Sequence, residues 1–385
     1  MAASGGHSHL MVSFVLRFTM RTALVAMLCA SLIVAYVADA FRIDRLQQQL
    51  SRDIFAHGGR LVFRSSSGFL VSRWREFELD VSGDISTHAL KYCIRRASML
   101  SRVTHIAADS RWFSRDIAST TEALRQSVRD LTIHGGVITS AEAHSLPHCA
   151  LERIEVADVA IDESIRNPLV ISHLLKSAEL KDLPHFPSCI FDDNAKMSLE
   201  SLGLARLSLD GRHWSLIAGF DRLQSLLIRE CNIDDQSLCQ IGRLTCLVDL
   251  DIDVDHVLGF GLRNLAGMTR LRSLVLSKRP TAYDVESDLV ESQNDLFPSV
   301  LSDKGTVKDS TNLELDAFPN LPSLETLSLV GITSNKDGWV RISSQMNLRS
   351  LNCLDCNLDD ESVESIGRGN SVLCIRKSIS QVQYP

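Results

Sequence analysis

The sequence predicts an α/β solenoid built from short parallel strands and helices, preceded by one transmembrane helix. Three observations carry that prediction: a leucine-rich segment that recurs every 24 residues, a strand-like alternation inside each recurrence, and an uncharged apolar run near the start. LQSLLIRECNI from Leu223 returns in outline as LVDLDIDVDHV from Leu247 and LRSLVLSKRP from Leu271, then as LETLSLVGI from Leu324 and LRSLNCLDCNL from Leu348. Self-similarity at a fixed period marks stacked units, each too small to bury its own apolar face.

In chain order, residues 1–21 form a tail. The next segment, 22–41, contains TALVAMLCASLIVAYVA over residues 22–38, which carries no charge. As a helix that run spans about 25 Å, just enough for a bilayer core. An uncleaved anchor is preferred to a signal peptide cleaved after Ala38-Asp39-Ala40, because the lead is long and apolar LMVSFVL already precedes Arg17. Arg17 and Arg21 on one flank nearly balance Arg42, Arg45 and Arg52 on the other. A large C-terminal domain translocates largely regardless of such a bias, so a single-pass membrane protein with its large domain exported is expected.

Residues 42–72 read as a juxtamembrane cap. LQQQLSRDIFAHGG places Leu46, Leu50 and Ile54 one helical turn apart, Gly58-Gly59 stops the helix, and the strand LVF follows. Repeats then fill 73–377. LERIEVADVAI from Leu151 and VRDLTIHGGVI from Val128 fit the template, and FELDVSGDI around Phe77 and LSRVTHI around Leu100 fit it loosely. Between 175 and 209 two registers compete, one keeping the 24-residue step through Leu199, Leu202 and Leu204, the other beginning at Leu204 with Leu207 and Leu209. About nine or ten repeats result, well above the three that a stacked core needs.

Within a unit, alternate apolar residues point inward from the strand. Ile233-Asp234-Asp235, Leu358-Asp359-Asp360 and Ile161-Asp162-Glu163 then put a carboxylate where a helix should begin, and Thr139 with Glu142 reads as a capping box. Leu238, Ile241 and Leu244 follow at helical spacing.

This pattern, LxxLxLxxN/CxL, resembles the leucine-rich repeat family, and the helix, glycine and strand of 42–72 resemble the same region of bacterial single-pass membrane-tethered leucine-rich repeat proteins. The resemblance implies a curved solenoid with strands on its concave face and a protein or peptide partner. Residues 279–320 interrupt the repeats with Asp284, Glu286, Asp288, Glu291, Asp295 and Asp303. The insertion reads as a mobile loop, or as a binding loop, since the family's insertions often lie near the ligand. A tail, 378–385, ends the chain.

The most pointed candidate site is LVDLDIDVD, where alternation puts Asp249, Asp251 and Asp253 on one exposed face about 7 Å apart. Such a row suits a basic partner, a cation, or solvent alone. Arg229, at the repeat position of Asp253 one strand away, is placed to neutralise it. Further outward positions are Gln224, Leu227 and Arg229, then Arg272 and Val275, then Arg349, Asn352 and Leu354. Leu227, Val275 and Leu354 among polar neighbours suggest the centre of a protein-binding patch, or ordinary isolated surface residues. Cys353-x-x-Cys356 falls at inward positions with no second pair, so core packing is expected, as for Cys231. Trp74, Trp112, Trp214 and Trp339 are expected to fill gaps in the core or on the convex side.

Net charge is −7, with basic residues in excess over the first 130 positions and a strongly acidic remainder, which argues for anionic lipid near the start and against nucleic acid. Ten cysteines show no spacing that reads as a disulfide framework. Walker A, HExxH, GxSxG and dinucleotide fingerprints are missing, so neither enzyme activity nor a cofactor or metal is expected. The expected function is noncovalent protein–protein recognition through the concave strand face by a membrane-anchored chain. The alternatives are a self-associating structural protein of the cell envelope and, last, an enzyme with its site at the insertion.

Overall fold

Alternating leucines on successive segments have one way to hide together, which is to line up across a parallel sheet. The computed structural model describes residues 7–64, 76–278 and 315–378, except 84, 100–102, 118–123, 125–126, 142, 145–149, 192, 256, 258–259, 346, 357–362, 364–365 and 367–373. Its strands are β1 (Arg60–Arg64), β2 (Glu76–Val81), β3 (Val103–Ala108), β4 (Asp130–His134), β5 (Val137–Ile138), β6 (Arg153–Ala157), β7 (Ala160–Ile161) and β8 (Ser177–Lys181). They continue as β9 (Ser201–Ala205), β10 (Ser225–Arg229), β11 (Asp249–Asp253), β12 (Ser273–Ser277), β13 (Thr326–Val330), β14 (Ser350–Leu354) and β15 (Cys374–Ser378). The helices are α1 (His7–Ala56), α2 (Thr87–Ala97), α3 (Asp193–Ser198), α4 (Gly211–Ile217), α5 (Asp235–Ile241) and α6 (Lys336–Ser343).

Thirteen strands form one sheet in chain order, skipping only β5 and β7, which pair with each other outside it. Every main-sheet pairing is parallel except β1 with β2. From β8 through β12 each strand begins 24 residues after the last, which settles the 175–209 region in favour of the 24-residue register. Twelve parallel strands are present among the described residues, more than the nine or ten repeats expected, because β8 offers only Ala178 and Leu180 inward and β15 is a short CIRKS; β15 also runs one residue past the expected boundary at 377. Leu226, Leu250, Leu274, Leu327 and Leu351 stack in one buried column, and Ile228, Ile252, Leu276, Leu329 and Cys353 in the next. Trp112, Trp214 and Trp339 are buried, as expected; Trp74 lies outside the described residues.

One residue past the strand end the chain turns through the left-handed region, at Asp158, Asp182, Arg206, Glu230 and Asp355, with Gly135 and Gly331 at the equivalent position. The turn points each amide at the next strand's carbonyl: Asp158 to Lys181 (3.1 Å), Asp182 to Ala205 (3.0 Å) and Arg206 to Arg229 (2.9 Å). α5 starts as the carboxylate pattern predicts, with Asp234 accepting the Ser237 amide at 2.7 Å. At Asp162 the expected helix is replaced by turns, joined by Asp162 accepting amides from Ser140 (3.2 Å) and Ser164 (2.8 Å). Pro168, six residues on, excludes helical backbone at Asn167 and stops any longer turn. Glu142 of the expected capping box and the carboxylates at 359–360 lie outside the described residues.

Before the repeats, α1 ends at Ala56 and β1 follows it, matching the helix, glycine and strand pattern, while Leu46 of the expected apolar face is exposed. Leu50 and Ile54 of α1 are buried, Arg96 of α2 reaches Asp53 at 2.6 Å, and β1 closes the sheet antiparallel to β2. Gly58 leaves the helix at φ +84°, and a Cβ on Gly59 would sit 2.9 Å from the Ile54 side chain, so this turn needs glycine.

The segment expected to span a membrane lies within α1. Between 22 and 41 the described side chains are those of 25, 27, 28, 30–35, 38 and 41, all exposed. Among the described residues no helix is long and apolar enough to cross a membrane.

Of the insertion, 279–314 lie outside the described residues, together with the acidic residues noted there. The far boundary at 320 is corrected: Leu315, Ala317 and Phe318 are buried in the next repeat. Gln345 ties this return in place, accepting the Leu321 amide at 2.8 Å and donating to the Pro319 carbonyl at 3.0 Å.

Candidate functional site

The outward residues of the parallel strands form three columns along the outer face of the sheet, set by register. The middle column reads Glu155, Glu179, Gly203, Leu227, Asp251, Val275, Ser328 and Asn352. At the strand ends the column reads Lys181, Ala205, Arg229, Asp253, Ser277, Val330 and Leu354; Asp249 belongs to the first column, beside Ser225 and Ser273.

The three aspartates therefore differ in kind. Asp249 is exposed. Asp253 is not on an exposed face, contrary to the alternation argument: its side chain is 5% accessible and held in place. One carboxylate oxygen receives the Arg229 guanidinium at 3.0 Å and the other the Glu230 amide at 2.8 Å. Strand alternation gave the correct side of the sheet, but a long arginine one strand away covers the carboxylate. Asp251 is half-buried, with Oδ2 2.5 Å from Arg229 and Oδ1 shielded from solvent without a hydrogen-bond partner. Burial raises its carboxyl pKa despite the opposing pull of Arg229.

Arg229 closes this network through Ser277 Oγ at 3.0 Å, so one guanidinium spans three strands. It pairs with Asp253, as anticipated, and with Asp251, and leaves Asp249 exposed. Among the described residues no group of three or more His, Cys, Asp and Glu side chains is placed to hold a metal ion.

Leu227 and Val275 flank Asp251 in the middle column, each half-buried and about 4.8 Å away by strand spacing. Leu354 is not part of that patch: it lies in the strand-end column beside Val330, three strands from β11. Asn352 continues the middle column, half-buried. Arg349 precedes β14 on the rim, exposed, and faces Glu325 at 3.5 Å, which Arg272 also approaches at 4.0 Å.

A second charged group went unnoticed in the sequence. Lys181 sits between Glu179 (2.8 Å) and Glu155 (3.1 Å), and the hydrogen bond it donates to Glu179 raises its pKa. Further along, His105 lies between Glu78 (3.8 Å) and Asp130 (3.6 Å). The missing signal was register: once β6 and β8 are aligned, residues 155, 179 and 181 become neighbours. At the outer turn, Arg206 forms a two-pronged pair with Asp182 and approaches Glu230 at 3.7 Å.

Thirteen strands in chain order, a 24-residue register and inward leucine columns define a leucine-rich repeat solenoid. No family model matches the chain, and no curated protein matches it. Among solved structures it is similar to an internalin from Listeria monocytogenes, at 14% identity over 80% of this chain and 87% of that one, with a TM-score of 0.41.

Proposed function

We propose that this chain is a membrane-anchored recognition protein whose concave strand face binds a protein or peptide partner noncovalently. The observation that carries the reading is the middle column, where Leu227 and Val275 present apolar surface on either side of Asp251 and its unpartnered oxygen. A sheet-backed surface of this kind loses little entropy on binding, so contacts spread over several repeats can add up to specificity. Asp249 and Asp251 supply charge; Asp253 and Arg229 keep the surface in shape. The test is site-directed photo-crosslinking in cells, with the probe at 227 or 275 compared with exposed helix positions such as 236. Crosslinks to one partner from the concave positions alone support the reading, and equal labelling from both faces removes it.

Membrane attachment through residues 22–41 is the second part of the proposal. Val25, Met27, Leu28, Leu32, Ile33, Val34 and Phe41 are all exposed on α1, an apolar surface that lipid would cover. The large domain is taken to face outward. Protease accessibility in intact and permeabilised cells, with the mass of the mature N-terminus, tests both parts: digestion in intact cells with 1–41 retained supports them, and an N-terminus at Phe41 removes the anchor.

A self-associating envelope protein is the competing reading, favoured by the position of β1 and β15 as the two ends of the sheet. Concentration-dependent oligomers in detergent would support it.

A further inference from the structure

The outward face of the sheet is charged at one end and uncharged at the other. Every outward strand residue of β12, β13 and β14 is Ser, Thr, Val, Asn or Leu. From β2 to β8 the same positions hold Glu78, Asp80, Asp130, Glu155 and Glu179 against Arg153 and Lys181. Register sets these acids in a path across the strands. Glu78 and Asp130 stand in the first column on either side of His105, at 3.8 and 3.6 Å from its ring, and Glu155 and Glu179 are direct partners in the middle column. The side chains of Glu78, Asp130, Glu155 and Glu179 are 21–39% accessible, which leaves all four within reach of a partner.

Two carboxylates directly opposite each other on neighbouring strands repel. Lys181 bridges Glu155 (3.1 Å) and Glu179 (2.8 Å) from the strand ends and offsets one of their two charges. On the next strand the face dips, because β9 turns out only Ser201, Gly203 and Ala205. A Cβ on Gly203 would lie 3.1 Å from Glu179 Cγ, so the Glu179 side chain lies over Gly203, whose partner on the far side is Leu227. The acidic stretch therefore runs into the apolar pair Leu227 and Val275.

We propose that the β2–β8 part of this face binds an extended, lysine- or arginine-rich segment of the same protein partner whose apolar residues sit on Leu227 and Val275. The inference rests on the reading of this face as a recognition surface and adds the chemistry of what it recognises. The strands β2, β3, β4, β6 and β8 are consecutive in the sheet, so the acidic path spans about 19 Å, the length of about six extended residues. A cation of the partner meets the charge that Lys181 leaves over between Glu155 and Glu179, and others meet Glu78 and Asp130. Each such contact is half-exposed and individually weak, so selectivity comes from their sum and from steering of the approach. The same field repels nucleic acid.

The test uses the full chain in detergent at low salt with fluorescein-labelled hexalysine and hexaglutamate. Hexalysine should bind and hexaglutamate should not. Carbodiimide coupling of bound hexalysine, mapped by mass spectrometry, should place amide links on Glu155 and Glu179 ahead of Asp193 and Glu163, which are more exposed but lie outside the strands. Glu155→Gln with Glu179→Gln should weaken hexalysine binding about fivefold; Asp193→Asn with Glu163→Gln, which removes the same charge elsewhere, should weaken it less than about twofold. Equal weakening by the two pairs, or coupling that simply follows exposure, overturns the proposal, and the coupling map on the wild-type chain decides even if a variant misfolds. Crosslinking from 227 and 275 separates this inference from the reading beneath it: a partner captured there whose adjoining segment lacks basic residues overturns the inference and keeps the reading, whereas no capture removes both.

Discussion

Asp253 accepts the backbone amide of Glu230 through its side chain, at 2.8 Å, where the neighbouring repeats use a main-chain carbonyl for the same bond. The substitution of carboxylate for carbonyl coincides with the end of regular pairing between β10 and β11 at Ile228, and with Val254, which does not take the left-handed turn conformation. A β-branched residue is strained there, so the strand end shifts and the carboxylate fills the place.

Asp253→Ala should therefore destabilise the solenoid by about 2–3 kcal/mol, the cost of stranding an amide and a guanidinium that shared one buried acceptor. Asp253→Asn, which keeps an acceptor, should lose less. Urea unfolding followed by circular dichroism measures both; equal stability of Asp253→Ala and wild type would show that the carboxylate is dispensable.

Asp251 has the opposite character. Its pKa is raised in the folded state by burial, so its contribution to stability is fully present below the unfolded value of 3.8 and is lost as pH rises through the folded pKa. Asp251→Asn should remove that decrement and unfold at higher urea than wild type at pH 7, with the two converging in acid. A variant less stable at neutral pH would mean that Arg229 depends on both carboxylates.

Several turn carboxylates titrate the other way. Asp162 is lowered to about 2 by hydrogen bonds from Ser164 and Ser140, and Asp182, Asp210 and Asp234 are lowered by Arg206, the His213 amide and Ser237. Stability from these groups is present above the unfolded value of 3.8 and is lost as pH falls towards 2. The urea midpoint should drop across that window, and Asp162→Asn should show a shallower drop.

The cap predicts a polarity in unfolding. Ile54→Ala empties a fully buried site shared by α1, Gly59 and Cys93, and should cost about 2–5 kcal/mol. Because each repeat leans on its neighbour, hydrogen exchange should quicken first in β2 and β3 and leave β12 to β14 protected. Uniform quickening would mean that the solenoid unfolds as one unit.

Leu227→Arg and Val275→Arg place charge on half-buried outward positions without touching the inward columns. Each should weaken partner crosslinking from other concave positions at least about tenfold while shifting the thermal midpoint little. Loss of crosslinking with loss of folding would leave the face unassigned, and unchanged crosslinking would exclude the Leu227 and Val275 patch.

The repeat, its period, the inward leucine columns and the helix-glycine-strand cap were all legible from residue spacing, because burial imposes a period of two on a strand and 24 on its return. The helix at Asp235 was legible too, since its carboxylate cap is local. The helix expected at Asp162 was not found: the same local cue precedes Pro168, and the carboxylate stabilises turns instead.

What spacing alone determined is which face of the sheet each side chain leaves from. Only the tertiary structure decided which of those side chains are available. Asp249, Asp251 and Asp253 leave on one side by alternation, yet Arg229 from the neighbouring strand covers one and half-occupies another. Glu155, Glu179 and Lys181 became a cluster only when 24 residues of chain returned them to adjacent strands. Periodicity reports the backbone's direction, which is local; accessibility depends on the reach of long side chains across strands about 4.8 Å apart, which is set by register.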